Sequence, residues 1–416
     1  MLSLLRFKDK FFYGWVVVAA GLIIGLISLG VRYSFGVFFK SIESEFGLTR
    51  AATSGIFSVY MVLSGVIAIL GGWALDKYGP RIVTFLMGLF AGLSLVLTSQ
   101  SGAYWQLFIS YSLLLALGTG AVFTVVNSTV SRWFSQKRGF VIGIASSGGP
   151  LGAVVMAPFA TYLIYSFGWR TAFLILGLVM WLVIASTSML LRKYPSDIGL
   201  LPDGAKPEPA ENQLQDDDNN SQPSGLSLPE AFKTSNFWFL GFMWLFVSVS
   251  IHLILTHIVP HAIDLGISPI DAAVLLSVMG GVTIAGRIVV GRISDIIGRK
   301  VLAIISALLL FGALIWLVWM RDLWMFYLFA VIAGLSWGGL GTIIPTLISD
   351  VFGVRSLGTI MGTLLAGWSV GAAIGPAVGG FIFDVTNDYS LAFLAGAVAM
   401  LIAALLSALI RSEVER

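Results

Sequence analysis

Arg287 is the first residue that invites a chemical reading. It follows the uninterrupted apolar and small-residue stretch AAVLLSVMGGVTIAG, within GRIVVGRISDIIGRK. It lies eight residues before Asp295, about 12 Å along a helix at 1.5 Å per residue. Half of a bilayer's hydrocarbon core is about 15 Å, so the guanidinium falls near a membrane midplane. An arginine there costs about 2.5–3.5 kcal/mol. A buried cation of this kind usually has an anionic partner, yet all 21 acidic residues fall in loops, tails or helix ends. An anionic ligand is the economical partner, and a planar guanidinium suits a carboxylate, which it binds through two parallel hydrogen bonds. The alternative is a structural arginine bonded to backbone carbonyls or reaching toward the interface.

Few other polar groups lie at depth. His252, His257 and His261 share one apolar segment. Histidine changes charge near neutral pH, and with no carboxylate inside a span His252 and His257 are the side-chain proton carriers available. His257 and His261 are four apart, but no third ligand accompanies them, so no metal is expected. Asn127 is placed about one turn inside the end of its span, where its amide could bond a substrate or a neighbouring backbone group. Arg32, in SLGVRYSFGVFF, could snorkel outward or attract anions. The chain has no cysteine, which excludes disulfides and thiolate chemistry. No phosphate loop, dinucleotide fingerprint or hydrolytic triad is present. Neither an enzyme, nor ATP coupling, nor a cofactor is expected.

The elements that position these residues follow from composition. Of 416 residues, 57% are hydrophobic and 11% charged, against about one-quarter charged in a soluble protein. A net charge of +3 makes nucleic acid an unexpected partner. Twelve apolar segments approach or exceed the roughly 20 residues that cross a bilayer as a helix. They run from 12–36 to 139–165 and 170–191, then from 236–262 to 390–410. The basic MLSLLRFKDK precedes a run too long for a signal-peptide core, so the first span is expected to be retained. Of the 24 lysines and arginines, 18 fall in termini and loops on one side. Four fall opposite, Lys40, Arg50, Arg170 and Arg321, and Arg32 and Arg287 lie within spans. The positive-inside rule then puts both termini in the cytoplasm. The polar segment 192–235, with Asp216–Asp218, reads as a cytoplasmic, partly disordered linker, ending in a short interfacial helix within LSLPEAFKTSNFWF.

The chain repeats. GGWALDKYGPR after the second span answers VGRISDIIGRK after the eighth, pairing Gly72, Asp76 and Gly79 with Gly291, Asp295 and Gly298 at an offset of 219. The first copy adds Arg81. TVVNSTVSRWF and TIIPTLISDVF follow at 218, and GWRTAF and DYSLAF at 220. Tyr33 and His252 are likewise 219 apart. The expected fold is an all-α membrane protein of twelve helices, in two parallel six-helix repeats spanning 1–191 and 236–416. The paired glycines allow close approach and a tight turn. Asp76 and Asp295, at helix ends, can meet basic residues or helix N-termini and so latch the cytoplasmic face. Small residues in SSGGPLGAVVMAPF and VGAAIGPAVGGFIF permit close helix packing.

The G-x-x-x-D-[RK]-x-G-x-[RK] loop resembles the signature of the major facilitator superfamily, whose two halves are related by an axis along the membrane normal. YSFGVFFKSIESEFG and WFSQKRGFVIGIASSGGPLG resemble the monocarboxylate transporter family within it. So does the Arg287–Gly291 R-x-x-x-G block, which matches the arginine that binds the substrate carboxylate in that family. The resemblance implies a secondary transporter of small monocarboxylates such as lactate or pyruvate, moved with a proton, with Arg287 on the substrate carboxylate. Asn127, from its depth, and Tyr33 and His252, from their equivalent places in the two repeats, are the other expected substrate contacts. It departs at Tyr33 and Thr283, where animal members carry a lysine and an aspartate implicated in proton coupling. His252, or co-transport of proton and acid, would then serve. Oxalate-exchanging relatives carry a second cation where this chain has Val370. A dicarboxylate exchanger is the alternative, and a non-transporting sensor is a more distant one. A functional monomer in a prokaryotic inner membrane is expected.

Overall fold

The computed structural model describes residues 12–48, 50–204 and 225–410. The basic N-terminal segment, Asp216–Asp218 and the tail from Arg411 lie outside them. Helices account for almost all of the described residues. They are α1 (Gly14–Tyr33), α2 (Phe35–Phe46), α3 (Arg50–Tyr78), α4 (Pro80–Ser99), α5 (Tyr104–Trp133), α6 (Arg138–Ser146), α7 (Gly148–Ser188), α8 (Leu228–Phe232), α9 (Ser235–Asp264), α10 (Pro269–Ile297), α11 (Arg299–Leu317), α12 (Leu323–Phe352), α13 (Leu357–Thr386) and α14 (Ser390–Leu409). A π-helical stretch, Phe108–Leu114, interrupts α5.

Among the described residues eleven helical segments are long and apolar enough to cross a membrane. The longest, Arg138–Ser188, has 51 residues, more than twice the roughly 20 a crossing needs. Gly168 breaks it with φ 80° and ψ 159°, between the segments expected at 139–165 and 170–191. Apolar faces point outward as well as inward. On α3, Val62, Val66, Leu70 and Trp73 form one exposed stripe, an arrangement suited to lipid and not to water.

The buried apolar side chains form separate cores. Two lie among residues from Val17 to Leu191, and one among residues from Ala231 to Ile410. Small residues set the closest packing. A Cβ at Gly152 in α7 would strike the backbone of Leu26 and Gly30 in α1, and one at Gly371 in α13 would strike Leu245 in α9. These glycines are 219 apart. Gly79 (φ 81°) and Gly298 (φ 105°) turn α3 into α4 and α10 into α11, a region open to glycine and costly for other residues.

The ends of the connecting segment are docked. Leu226 N–H donates to Phe352 O at 2.9 Å. Ser227 and Glu230 cap the short α8 reciprocally, and Thr234 caps α9. Asp203, at φ 58°, accepts from Ser135 N–H (2.8 Å), Ser135 Oγ (2.6 Å) and Gln136 N–H (2.9 Å). Burial opposes its charge, but these bonds outweigh burial and hold the carboxyl below its ordinary value. A depressed carboxyl stabilises above its unfolded-state pKa, and that contribution is lost as pH falls through the folded-state pKa. Asp203→Asn should therefore cut the hydrogen-exchange protection of the Ser135 and Gln136 amides about tenfold at neutral pH. The native protein should lose the same protection only on acidification through the depressed pKa.

Candidate functional site

The two acidic motifs come together on one face of the bundle, here the motif face. Asp76 accepts from Gly358 N–H (3.0 Å), Thr359 N–H (2.7 Å) and Thr359 Oγ1 (2.7 Å) at the start of α13. Arg132 of α5 pairs with the same carboxylate. Asp295 accepts from Gly139 and Phe140 N–H, both at 2.9 Å, at the start of α6, and pairs with Arg299 at 3.2 Å. Asp76 with Gly358, and Asp295 with Gly139, are the same contact made twice, since every residue of one is 219 positions from its counterpart. Each carboxylate also meets the positive end of a helix dipole. Gly72 and Gly291 make the approach possible, because a Cβ at either would collide with the facing backbone of Gly358 or Gly139. Asp350 adds a bridge between Arg138 (2.6 Å) and Arg299. Arg81 is exposed and forms no hydrogen bond or ion pair among the described residues.

Arg287 lies deeper on the same seam, 8% exposed. Its backbone is wedged between Gly143 of α6 and Gly338 of α12, and its guanidinium rests beside Gly341. Nη1 donates to the Ser146 carbonyl, and Nε is buried without a partner. Among the described residues Arg287 forms no ion pair. Asn127 is 1% exposed. It sits six residues before the end of α5 at Trp133, nearly two turns in, because the helix runs past the boundary its hydropathy suggests. Its Nδ2 donates to Phe123 O at 2.9 Å, which turns Oδ1 the other way, buried and unpartnered. A small cleft lined by Gly25, Leu29, Phe123, Asn127, Ser146 and Gly149 links this amide to the residue that holds Arg287.

Tyr33 ends α1 and is half-exposed. Its phenol is within electrostatic reach of both Arg32 and Arg287, and Arg32 is within reach of His252. Arg32 stacks near the rings of Tyr33 and Tyr60 (5.8 and 5.6 Å) and bonds the Met61 thioether at 2.8 Å, with Nε buried and unpartnered. His252 uses Nδ1 on Ser248 (2.9 Å to O) and packs against Trp368. Its Nε2 has no partner among the described residues. His257 stands apart. It is buried with Nε2 3.0 Å from Pro376 O, tilted against the Tyr389 ring at 5.1 Å and pressed on Gly379. Val370 is half-exposed. The structure thus gathers Arg32, Tyr33, His252 and Arg287 around one region, joins Asn127 to it through the cleft, and leaves His257 in an aromatic packing site.

Side-chain hydrogen bonds between the helices before and after the connecting segment run from the motif face to the level of Arg287. They include Arg132 Nε to Val354 O and Ser349 Oγ to Ser131 Oγ. These bonds close the motif face. The sequence anticipated basic residues and helix N-termini as partners of the two aspartates, but not which ones. The repeat offset contains the signal, since adding 219 to Gly139 gives Gly358.

The family model described as Major Facilitator Superfamily matches residues 21–362 and 262–416. Monocarboxylate transporter 12 of Rattus norvegicus is 26% identical over 370 residues, covering 84% of this chain and 75% of the relative. Monocarboxylate transporter 2 of Homo sapiens is 27% identical over 368 residues, with the same coverage. Among solved structures, the E. coli fucose:proton symporter aligns with a TM-score of 0.74 at 12% identity, over 95% of this chain and 98% of that one. The human organic anion transporter MFSD10 aligns at 0.69 and 16%, over 95% and 98%. Likeness at these identities speaks to fold alone. The curated relatives are animal proteins and give no support to a prokaryotic inner membrane. The family and these relatives are transporters, not enzymes. With lipid-facing apolar helices and a family model that matches most of its length, this chain is an integral membrane protein and belongs to the major facilitator superfamily.

Proposed function

We propose that the chain is a secondary transporter of small monocarboxylates, of lactate or pyruvate size, moved together with a proton. Two six-helix halves, 1–191 and 236–416, rock about the central site with 192–235 as their link. Division of the 51-residue segment at Gly168 supports twelve crossings. The surplus of basic residues supports a cytoplasmic motif face and cytoplasmic termini. In that orientation the described state faces outward, with its cytoplasmic latch shut.

One observation carries the reading. A guanidinium lies buried on the seam between the two sets of helices, and among the described residues only a neutral carbonyl pairs with it. A carboxylate is a stronger partner than a carbonyl. The names of the relatives point to the same substrate class. Asn127 Oδ1 offers an acceptor to a hydroxyl or a protonated acid, and His252 Nε2, which has no partner among the described residues, is the nitrogen that would take the proton. Arg32 favours a second reading, exchange of a dicarboxylate, because it places near the same region another cation that has no acidic partner among the described residues.

Uptake of radiolabelled L-lactate into proteoliposomes, with and without an inward proton gradient, separates the two. The expected result is uptake driven by the gradient. Uptake that ignores pH and requires preloaded anion would replace symport with exchange. No flux of lactate by folded protein would remove lactate as the substrate.

A further inference from the structure

The partner of Arg287 exists because of a proline. In an α-helix the carbonyl of residue i accepts from the N–H of residue i+4. For Ser146 that residue is Pro150, which has no N–H. The backbone stays helical through Ser147 (φ −65°, ψ −15°), and Leu151 N–H bonds Ser147 O at 3.1 Å. The helical register is therefore kept while the Ser146 carbonyl lacks its i+4 donor. That carbonyl is the one Arg287 Nη1 occupies. The bond crosses from α10 to α6, where Gly143 lets the helices touch. It can last only while they touch. Opening of the motif face parts α6 from α10 and strands the guanidinium.

We propose that Pro150 is a positioning residue for Arg287. By leaving the Ser146 carbonyl unpaired it holds the arginine across the seam, so that the empty protein resists opening its motif face until an anion takes the carbonyl's place. The proposal rests on the reading that the two halves alternate, but its test needs no substrate and so survives a wrong choice of acid. It predicts that exchange outpaces net flux, because a loaded carrier never strands the charge.

The chain has no native cysteine, so spin labels can be placed at Tyr78→Cys and Ile297→Cys alone. Both native side chains are exposed at the motif-face ends of α3 and α10. In substrate-free protein reconstituted in nanodiscs, Pro150→Ala gives Ser146 its helical N–H. It should raise the ratio of long to short label distances about tenfold, the scale of one hydrogen bond to a charged group. Arg287→Ala should do the same, and the double variant no more than either, since both remove one bond. Pro158→Ala, in the same helix and away from Arg287, should leave the distances unchanged. A native-like distribution in Pro150→Ala, an additive double variant, or an equal shift in Pro158→Ala would overturn the proposal. Because Arg287→Ala reaches the bond from its other end, a folding defect in one variant leaves the other to decide.

Discussion

Arg287→Ala is expected to lower proton-driven L-lactate uptake by about a hundredfold or more, the scale of losing a hydrogen-bonded charge partner in a low-dielectric site. The protein should remain folded. Removing the arginine also removes its burial cost of about 2.5–3.5 kcal/mol, against which the freed Ser146 carbonyl costs about 1–3 kcal/mol. The midpoint of thermal unfolding should therefore stay within a few degrees of native or rise. Lost transport without lost stability distinguishes a binding arginine from a structural one, which would lose both. Arg287→Lys keeps the charge without the planar fork and should fall between the two. Uptake at native rate in Arg287→Ala would remove the arginine from the site.

The second large effect is expected at Asp76. Its carboxylate holds two backbone N–H groups, a hydroxyl and Arg132, and the Arg132 side chain is 0% exposed. Asp76→Ala leaves that guanidinium without its charge partner, a change that typically costs about 3–5 kcal/mol. The motif face should open, read as longer distances between spin labels at Tyr78→Cys and Ile297→Cys, and uptake should fall more than about tenfold. Asp295→Ala should do less. Its arginine partner, Arg299, is 15% exposed and also pairs with Asp350, so it keeps an anion when Asp295 is gone. Equal effects at the two positions would contradict this ranking.

The unequal legibility of these residues has physical causes. Apolar run length shows where helices cross, because lipid demands both apolar side chains and internally bonded backbone. The offset of 219 marked Gly79 and Gly298 as equivalent turns, and both adopt positive φ. Backbone partners are harder to read. The carbonyl that holds Arg287 has no side-chain signature, and its only trace is a proline four residues on. Asn127 lies deeper than hydropathy suggests, because the α5 helix continues through the polar Ser131 and Arg132 to Trp133. His252 and His257 look alike in composition, yet five residues turn a helix by about 140° beyond a full turn. They could not both face one cavity, and His257 packs among aromatic rings instead.

The doubled contact of Asp76 with Gly358 and Asp295 with Gly139 bears on ancestry. Mapped onto a single repeat, the two contacts become one, in which the motif aspartate of each copy reaches the glycine that begins the partner's helix. Such reciprocity is the isologous relation of a two-fold homodimer, where i touches j and j touches i. A dimer of one ancestral repeat would have closed the same face with one set of residues. A fusion of two such copies would free each to specialise. The divergence is visible at the two arginines on the seam: where one repeat has Arg132 the other has Asp350, and where one has Arg287 the other has Ala68.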